Sequence, residues 1–126
     1  MAASVTLTEE TIGVIKKIKW VWTAHTDGKV AKTTTNAATT KTYNGELVRL
    51  VTVPDGVSAP SDNYTVQVFD EDSVDTLIGA ATGNRDTANT EQVLASSLGV
   101  VANDTLTMYI EGAGSGGKGT VILYIR

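Results

Sequence analysis

The stretch from residue 103 to residue 126 places the tightest constraint on what this chain can fold into. Apolar side chains alternate with more polar ones on both sides of a glycine-rich segment: Leu106, Met108 and Ile110 before it, and Val121, Leu123 and Ile125 after it. A period of two residues is that of a β-strand with one buried face. Glycines turn the chain readily and do not hold a helix. The pattern predicts an antiparallel hairpin with a long flexible loop, whose last strand is tied into the middle of a sheet.

Short alternating runs separated by turns recur through the rest of the chain. They cover residues 5–8, 14–24, 46–53, 64–69 and 76–80. Threonine and glycine are abundant and proline occurs only twice, which favours β-structure with many turns. A length of 126 residues suits one domain, spanning residues 1–126. We predict an all-β fold: a single-domain antiparallel β-sandwich, jelly-roll-like, of about seven or eight strands.

Two segments fit this pattern less well. Residues 29–42 carry almost nothing to bury, which indicates an exposed loop or an edge strand protected by lysines. Residues 91–98 suit a helical turn ended by Gly99 and equally a strand, so both interpretations are kept.

The charge and composition of the chain exclude several classes of protein. A net charge of -4 argues against nucleic-acid binding and against binding to an anionic membrane surface. No apolar run approaches the roughly 20 residues of a membrane span. The absence of cysteine excludes disulfides and thiolate metal sites. The first residues have neither the basic start nor the apolar core of a signal peptide, so we expect synthesis in the cytoplasm without passage through the general secretory route.

Two tryptophans dominate the longest alternating run. Trp20 and Trp22 share one strand face with Ile18 and Ala24, which predicts that they fill much of the core. The alternative is an aromatic stacking surface for a sugar or a protein partner, since tryptophan pairs also serve binding. Three tyrosines could join such a surface: Tyr43, Tyr64 and Tyr109.

The run at 46–53 is apolar on both of its faces. Strict alternation divides its apolar residues into two sets: Leu47, Val51 and Val53 on one face, and Val48 and Leu50 on the other. A two-layer domain covers one face of a strand and leaves the other to a loop or a neighbouring subunit. We therefore predict a homo-oligomer, with Val48, Leu50 and Thr52 in contact with a partner subunit or another protein. The alternative is a monomer in which residues 29–42 fold over this face.

An acidic group is the most suggestive local feature for metal binding. Asp70, Glu71, Asp72 and Asp75 offer the oxygen ligands that Ca²⁺ prefers. The glycine bend and the closing glutamate of a calcium loop are both missing. A solvated turn is therefore the favoured interpretation, and metal binding is the alternative.

Other residues give no catalytic pattern. His25, the only histidine, has no nucleophile elbow to act on. The glycine run at 112–119 lacks the Gly-Lys-Ser/Thr ending and the following helix of a phosphate-binding loop. We predict that the chain is not an enzyme, with no catalytic residue, no cofactor and no metal ligand.

Four segments carry a resemblance to a known family: Ile18-Lys-Trp-Val-Trp-Thr, residues 43–54, residues 64–77 and residues 103–126. Together they resemble small all-β virion proteins encoded among the structural genes of tailed bacteriophages. The resemblance implies a head decoration (cement) protein, a head-fibre base or a tail component, and it carries over no binding residue.

Among these roles we expect a capsid decoration protein that binds the assembled head and stabilises it. Its partner would be the major capsid protein or another virion protein, and its location the virion. The resemblance favours a trimer, because decoration proteins often sit at threefold positions of capsids. The alternative function is a carbohydrate- or receptor-binding module of a phage tail or head fibre.

Overall fold

The computed structural model describes residues 2–126, whose regular elements are β-strands and one short 3₁₀ turn. Eight strands follow one another: β1 Ser4–Ile12, β2 Ile15–Thr23, β3 Tyr43–Pro54, β4 Thr65–Phe69, β5 Glu91–Leu94, β6 Val100–Asp104, β7 Thr107–Glu111 and β8 Lys118–Ile125. The 3₁₀ turn, Ala95–Ser97, joins β5 to β6, and the strand pairs are antiparallel. The predicted all-β fold is confirmed and is consistent with a β-sandwich. The jelly-roll topology stays a prediction.

The strands form a large sheet of six and a small sheet of two. In the large sheet the order is β1-β2-β8-β3, and β5 and β6 both pair with the far edge of β3, one after the other along its length. The small sheet consists of β4 and β7. Because β8 is paired on both sides, the prediction that the last strand lies within a sheet is confirmed.

The predicted C-terminal hairpin is wrong. β7 pairs with β4 in the small sheet, whereas β8 pairs with β2 and β3 in the large one. The glycine-rich segment between them crosses from one layer to the other, and the amide of Ala24 donates to the carbonyl of Gly117 at 2.7 Å. At Gly28 a Cβ atom would lie 2.8 Å from the amide nitrogen of Gly114, so this close approach requires glycine. Two strands that each have one buried face can pair within one sheet or pack against each other across the core. The alternation of apolar residues is the same in both cases, so it does not determine the pairing.

The core lies between the inner face of the large sheet and the small sheet. Both layers supply large buried side chains: Ile18, Trp20, Trp22, Leu50, Val121, Leu123 and Ile125 from the large sheet, and Val66, Val68, Met108 and Ile110 from the small one. The rings of Trp22 and Tyr64 pack with their centroids 5.6 Å apart. The indole N–H of Trp20 donates to the carbonyl of Ala37 at 3.0 Å. The prediction that the two tryptophans fill the core is confirmed.

Loop segments widen the small sheet on both of its edges. Four isolated bridges do this: Val30 with Ile110 and Ala38 with Thr107 beside β7, and Tyr64 with Arg85 and Phe69 with Asp75 beside β4. Residues 29–42 are thus a loop, one of the two predicted alternatives, and they extend the edge of β7. The predicted exposure of this loop is wrong in part, because Val30, Ala37 and Thr39 are buried. Two strands alone make a marginal sheet in water, so these segments supply backbone partners that the small sheet needs.

The strand predicted at 76–80 is wrong. The segment is a series of turns held by Asp75, whose carboxylate accepts hydrogen bonds from the amides of Val68, Leu77 and Gly79 at 3.3, 3.1 and 3.0 Å. Leu77 is buried, which accounts for the apolar pattern without a strand. Residues 91–98 divide between the two interpretations, with β5 first and the 3₁₀ turn after it.

The predicted faces of β3 are wrong beyond Leu47. The pairing of β3 with β8 shifts register between Leu47 and Arg49, which is a β-bulge. The extra residue reverses the alternation, so Leu47 and Leu50 are both buried in the core while Val51 and Val53 lie on the opposite face. A slip of one residue moves every later side chain to the other face of a strand.

Glu9 on the edge strand β1 fastens the end of the 29–42 loop to the large sheet. Its carboxylate accepts hydrogen bonds from the amides of Thr40 and Lys41 at 3.2 Å, from the Thr40 hydroxyl, and from the Tyr43 hydroxyl at 2.9 Å. Burial disfavours the charged carboxylate, but these hydrogen bonds outweigh burial and hold the pKa of Glu9 below its usual value.

We expect Glu9→Gln to lower the free energy of unfolding by about 1 kcal/mol or less at pH 7, because the carboxylate is only partly buried. The wild-type contribution is present above the usual glutamate pKa of about 4.3, and it is lost as the pH falls through the lower pKa of the folded state. Urea unfolding at several pH values measures this dependence. Glu10→Gln, at the exposed neighbouring residue, is the matched control. If Glu9→Gln kept the wild-type pH dependence, the carboxylate would not hold the loop.

Candidate functional site

The outer face of the large sheet, turned away from the core, combines apolar and cationic side chains. Residues opposite one another on antiparallel strands share a face, so the register assigns side chains across the sheet. One row runs from Lys17 of β2 through Tyr124 of β8 and Arg49 of β3 to Leu94 of β5. All four side chains are exposed or half-buried.

Two more rows lie beside the first. The nearer one contains Lys19, Ile122, Val51 and Gln92, and the next contains Val21, Thr120 and Val53. Apolar side chains therefore occupy adjacent positions on four neighbouring strands. Single β-branched residues on an outer strand face are ordinary, but a contiguous apolar patch is typical of a surface that contacts another molecule.

Four large apolar side chains on this face are open to solvent: Ile12, Val21, Leu94 and Val100 are 64%, 44%, 57% and 68% exposed. Val100 is the cross-strand partner of Glu46 where β6 meets β3. An open groove of about 890 Å³ lies in the same region, where β5 ends in the 3₁₀ turn. Its apolar lining includes Ile15, Val48, Val51, Leu94 and Tyr124.

The charges on this face are mainly positive. Lys17, Lys19, Arg49 and Arg126 lie on it, beside Glu10 and Glu46. Within residues 2–126 the ion pairs are His25–Asp27 and Arg85–Glu91, so none of these four cations has a carboxylate within 4.0 Å.

Two of the four cations are oriented by neighbours on the same face. The ammonium of Lys17 lies 5.9 Å from the ring centroid of Tyr124, within the range of a cation–π contact. The guanidinium of Arg49 donates to the side-chain oxygen of Gln92. Both contacts leave the cationic groups at the surface, available to a partner.

Of the three residues predicted to contact a partner, Val48 lies at the surface, where it lines the groove. Leu50 and Thr52 are buried inside the sandwich because of the bulge, so they cannot form that contact. The outer face also contains Ile122 and Tyr124, which the prediction did not name. Their signal was present in the sequence, since 121–125 is apolar on both faces just as 46–53 is.

The alternative prediction, that Trp20 and Trp22 form an exposed stacking surface, is wrong. Trp20 and Trp22 are fully buried, and Tyr43 and Tyr64 are buried with them. Burial raises the pKa of Tyr64 to about 12, as expected for a phenol removed from water. Tyr109 remains half-buried in the small sheet.

The carboxylates that lie close together in the structure are not the four that lie close together in the sequence. Carboxylate oxygens of Asp70, Asp72 and Asp104 lie within 4.8 Å of one another, so these three residues could approach one cation. Asp75 holds the neighbouring turn instead. Partial desolvation, with the negative charges of Glu71, Asp70 and Asp72, raises the pKa of Asp104. The Asp70 carboxylate also accepts hydrogen bonds from the amides of Asp72 and Val74 at 2.9 and 3.0 Å. This is the geometry of a turn, which the sequence favoured over a metal site.

His25 lies on an exposed turn. Its Nδ1 atom is 3.1 Å from the Thr26 hydroxyl and 3.4 Å from the Asp27 carboxylate. A catalytic triad needs the nucleophile and the carboxylate on different ring nitrogens, and here both approach the same one.

Comparison with family models, with curated proteins and with solved structures found no match to this chain. None of the residues from 2 to 126 forms a helix long and apolar enough to cross a membrane.

The outer face and the core should respond differently to truncation of neighbouring β3 residues. We expect Leu50→Ala to lower the free energy of unfolding by about 2–5 kcal/mol, because it leaves a cavity in the core. Val51→Ala should cost less than about 1 kcal/mol, because Val51 lies on the outer face. Urea unfolding of the two variants measures both values. A larger loss for Val51→Ala than for Leu50→Ala would contradict the bulge, which turns Leu50 and not Val51 toward the core.

Proposed function

We propose that this chain is a structural protein of a bacteriophage virion, and specifically a capsid decoration protein. It would bind the assembled head through the outer face of its large sheet, with the major capsid protein or another virion protein as partner. The observation that carries this proposal is the contiguous apolar and cationic surface formed by Ile122, Val51, Tyr124 and their cationic neighbours. The resemblance of four sequence segments to small phage virion proteins supplies the identity of the particle.

Docking of this kind stabilises a shell without turnover of a substrate. A protein that binds the assembled shell and not its separate subunits stabilises assembly by mass action. Apolar side chains buried at the contact contribute about 25 cal/mol per Å² of area removed from water. The face of a sheet is broad and open. Such a surface suits contact with a large protein shell, whereas a small ligand requires an enclosed pocket.

The carbohydrate- or receptor-binding alternative loses the residues on which it depended. A sugar platform needs aromatic rings at the surface, and Trp20 and Trp22 are in the core. We therefore do not propose a second function.

We expect mass spectrometry of purified particles of the encoding phage to find this chain in copy number comparable with that of the major capsid protein. Particles that lack the chain should also lose infectivity at lower temperature than wild-type particles. A chain that is absent from particles, or present in only a few copies, would rule out decoration.

We also propose that the chain is a homo-oligomer, and the resemblance favours a trimer. Sedimentation equilibrium at micromolar concentration should give about 40 kDa, three times the 13.2 kDa of one chain. A single species near 13.2 kDa would refute the oligomer. A species of twice that mass would refute the trimer alone.

A further inference from the structure

We infer that the outer face of the large sheet docks an acidic protein surface, in which carboxylates surround an apolar centre. This inference rests on the proposed function, because it names the chemistry of the partner at the same face. It follows from the charge, the exposure and the apolar content of that face taken together.

The charge of this face is opposite in sign to that of the whole chain. The chain carries 14 acidic residues against 10 lysines and arginines, so an average surface would be acidic. The outer face has Lys17, Lys19, Arg49 and Arg126, with two glutamates beside them. No ion pair of the described chain uses any of these cations. Complementary carboxylates on a partner would both attract this face and set its orientation.

The apolar centre of the face points to protein and not to nucleic acid. Ile122 and Val51 are cross-strand partners at the middle of the sheet, and Leu94 at its edge is 57% exposed. Interfaces with nucleic acid are more polar and more positive than this one, because their contacts go mostly to phosphates. An apolar core with a charged rim is the anatomy of a protein–protein interface.

The same face of a second copy fits this face less well. A twofold contact through the same face would bring its cations against those of the partner copy, and like charges across an interface are unfavourable. An acidic partner removes that repulsion and contacts the same apolar residues.

The test titrates the ¹⁵N-labelled wild-type chain with a random copolymer of glutamate and tyrosine and follows the amide resonances by NMR. We expect the amide resonances of β2, β8 and β3 to shift on titration, and binding to weaken as sodium chloride is raised. Lys17→Glu with Lys19→Glu should weaken binding by about tenfold or more. The matched control is Lys29→Glu with Lys41→Glu, which makes the same charge change at exposed loop residues and should bind as wild type. Polyglutamate, which lacks the apolar side chain, should bind more weakly than the copolymer.

A second pair of variants keeps the test decisive if the reversed lysines prevent folding, as circular dichroism would show. Arg49→Gln with Arg126→Gln removes two charges from the same face, and Lys29→Gln with Lys41→Gln is its control. Equal affinity of face and control variants would overturn the inference. Tighter binding of duplex DNA at these amides would overturn it in favour of nucleic acid. Shifts that depend on protein concentration alone, at the same amides, would make the occupant a second copy.

Failure of the inference and failure of the proposed function give different results. If the chain coats particles but Lys17→Glu with Lys19→Glu binds them as wild type does, decoration stands and the acidic partner surface is wrong. If the chain is absent from particles but binds the copolymer through β2, β8 and β3, decoration is wrong and the acidic partner surface stands.

Discussion

The central strand β8 holds the large sheet together and separates the core from the outer face. It pairs with β2 on one side and β3 on the other, so the two halves of the large sheet are joined through it. Its inner side chains, Val121, Leu123 and Ile125, are fully buried against the small sheet. Its outer side chains, Ile122 and Tyr124, form the middle of the outer face of the large sheet. The core and the outer face are thus opposite sides of one strand, and a slip of its register would disrupt both.

The small sheet depends on segments that are not strands. β4 and β7 alone would be marginal, so backbone bridges from residues 30 and 38 on one side and 75 and 85 on the other complete the layer. These segments are held by hydrogen bonds of particular side chains. The indole of Trp20 binds the carbonyl of Ala37, Glu9 binds the amides of Thr40 and Lys41, and Asp75 holds its own turn. Polar residues therefore define the second layer, while apolar residues fill the space beneath it.

Alternation in the sequence was enough to predict most strands and their buried faces, including Trp20, Trp22 and Val121. It could not predict which strands pair, because two strands show the same alternation whether they are neighbours in one sheet or face each other across the core. β7 and β8 were paired wrongly for this reason. It also failed at Leu50, since a bulge leaves no mark on composition and reverses every side chain after it. On the outer face, the prediction named Val48 and did not name Tyr124. Cross-strand neighbours become visible only once the register is known.

The edges of the sheets give a reason why association should use a face and not strand addition. Along the edge strand β1, the Asn36 side chain donates to the carbonyl of Val5 at 3.3 Å, and Glu9 binds the amide of Thr40. The edge formed by β5 and β6 is interrupted by the 3₁₀ turn between them. A partner strand would have to displace or bypass these segments, and exposed edges are commonly blocked in this way to prevent uncontrolled pairing. The proposed contact through the outer face would use side chains alone, so it would leave the backbone hydrogen bonds of both sheets in place.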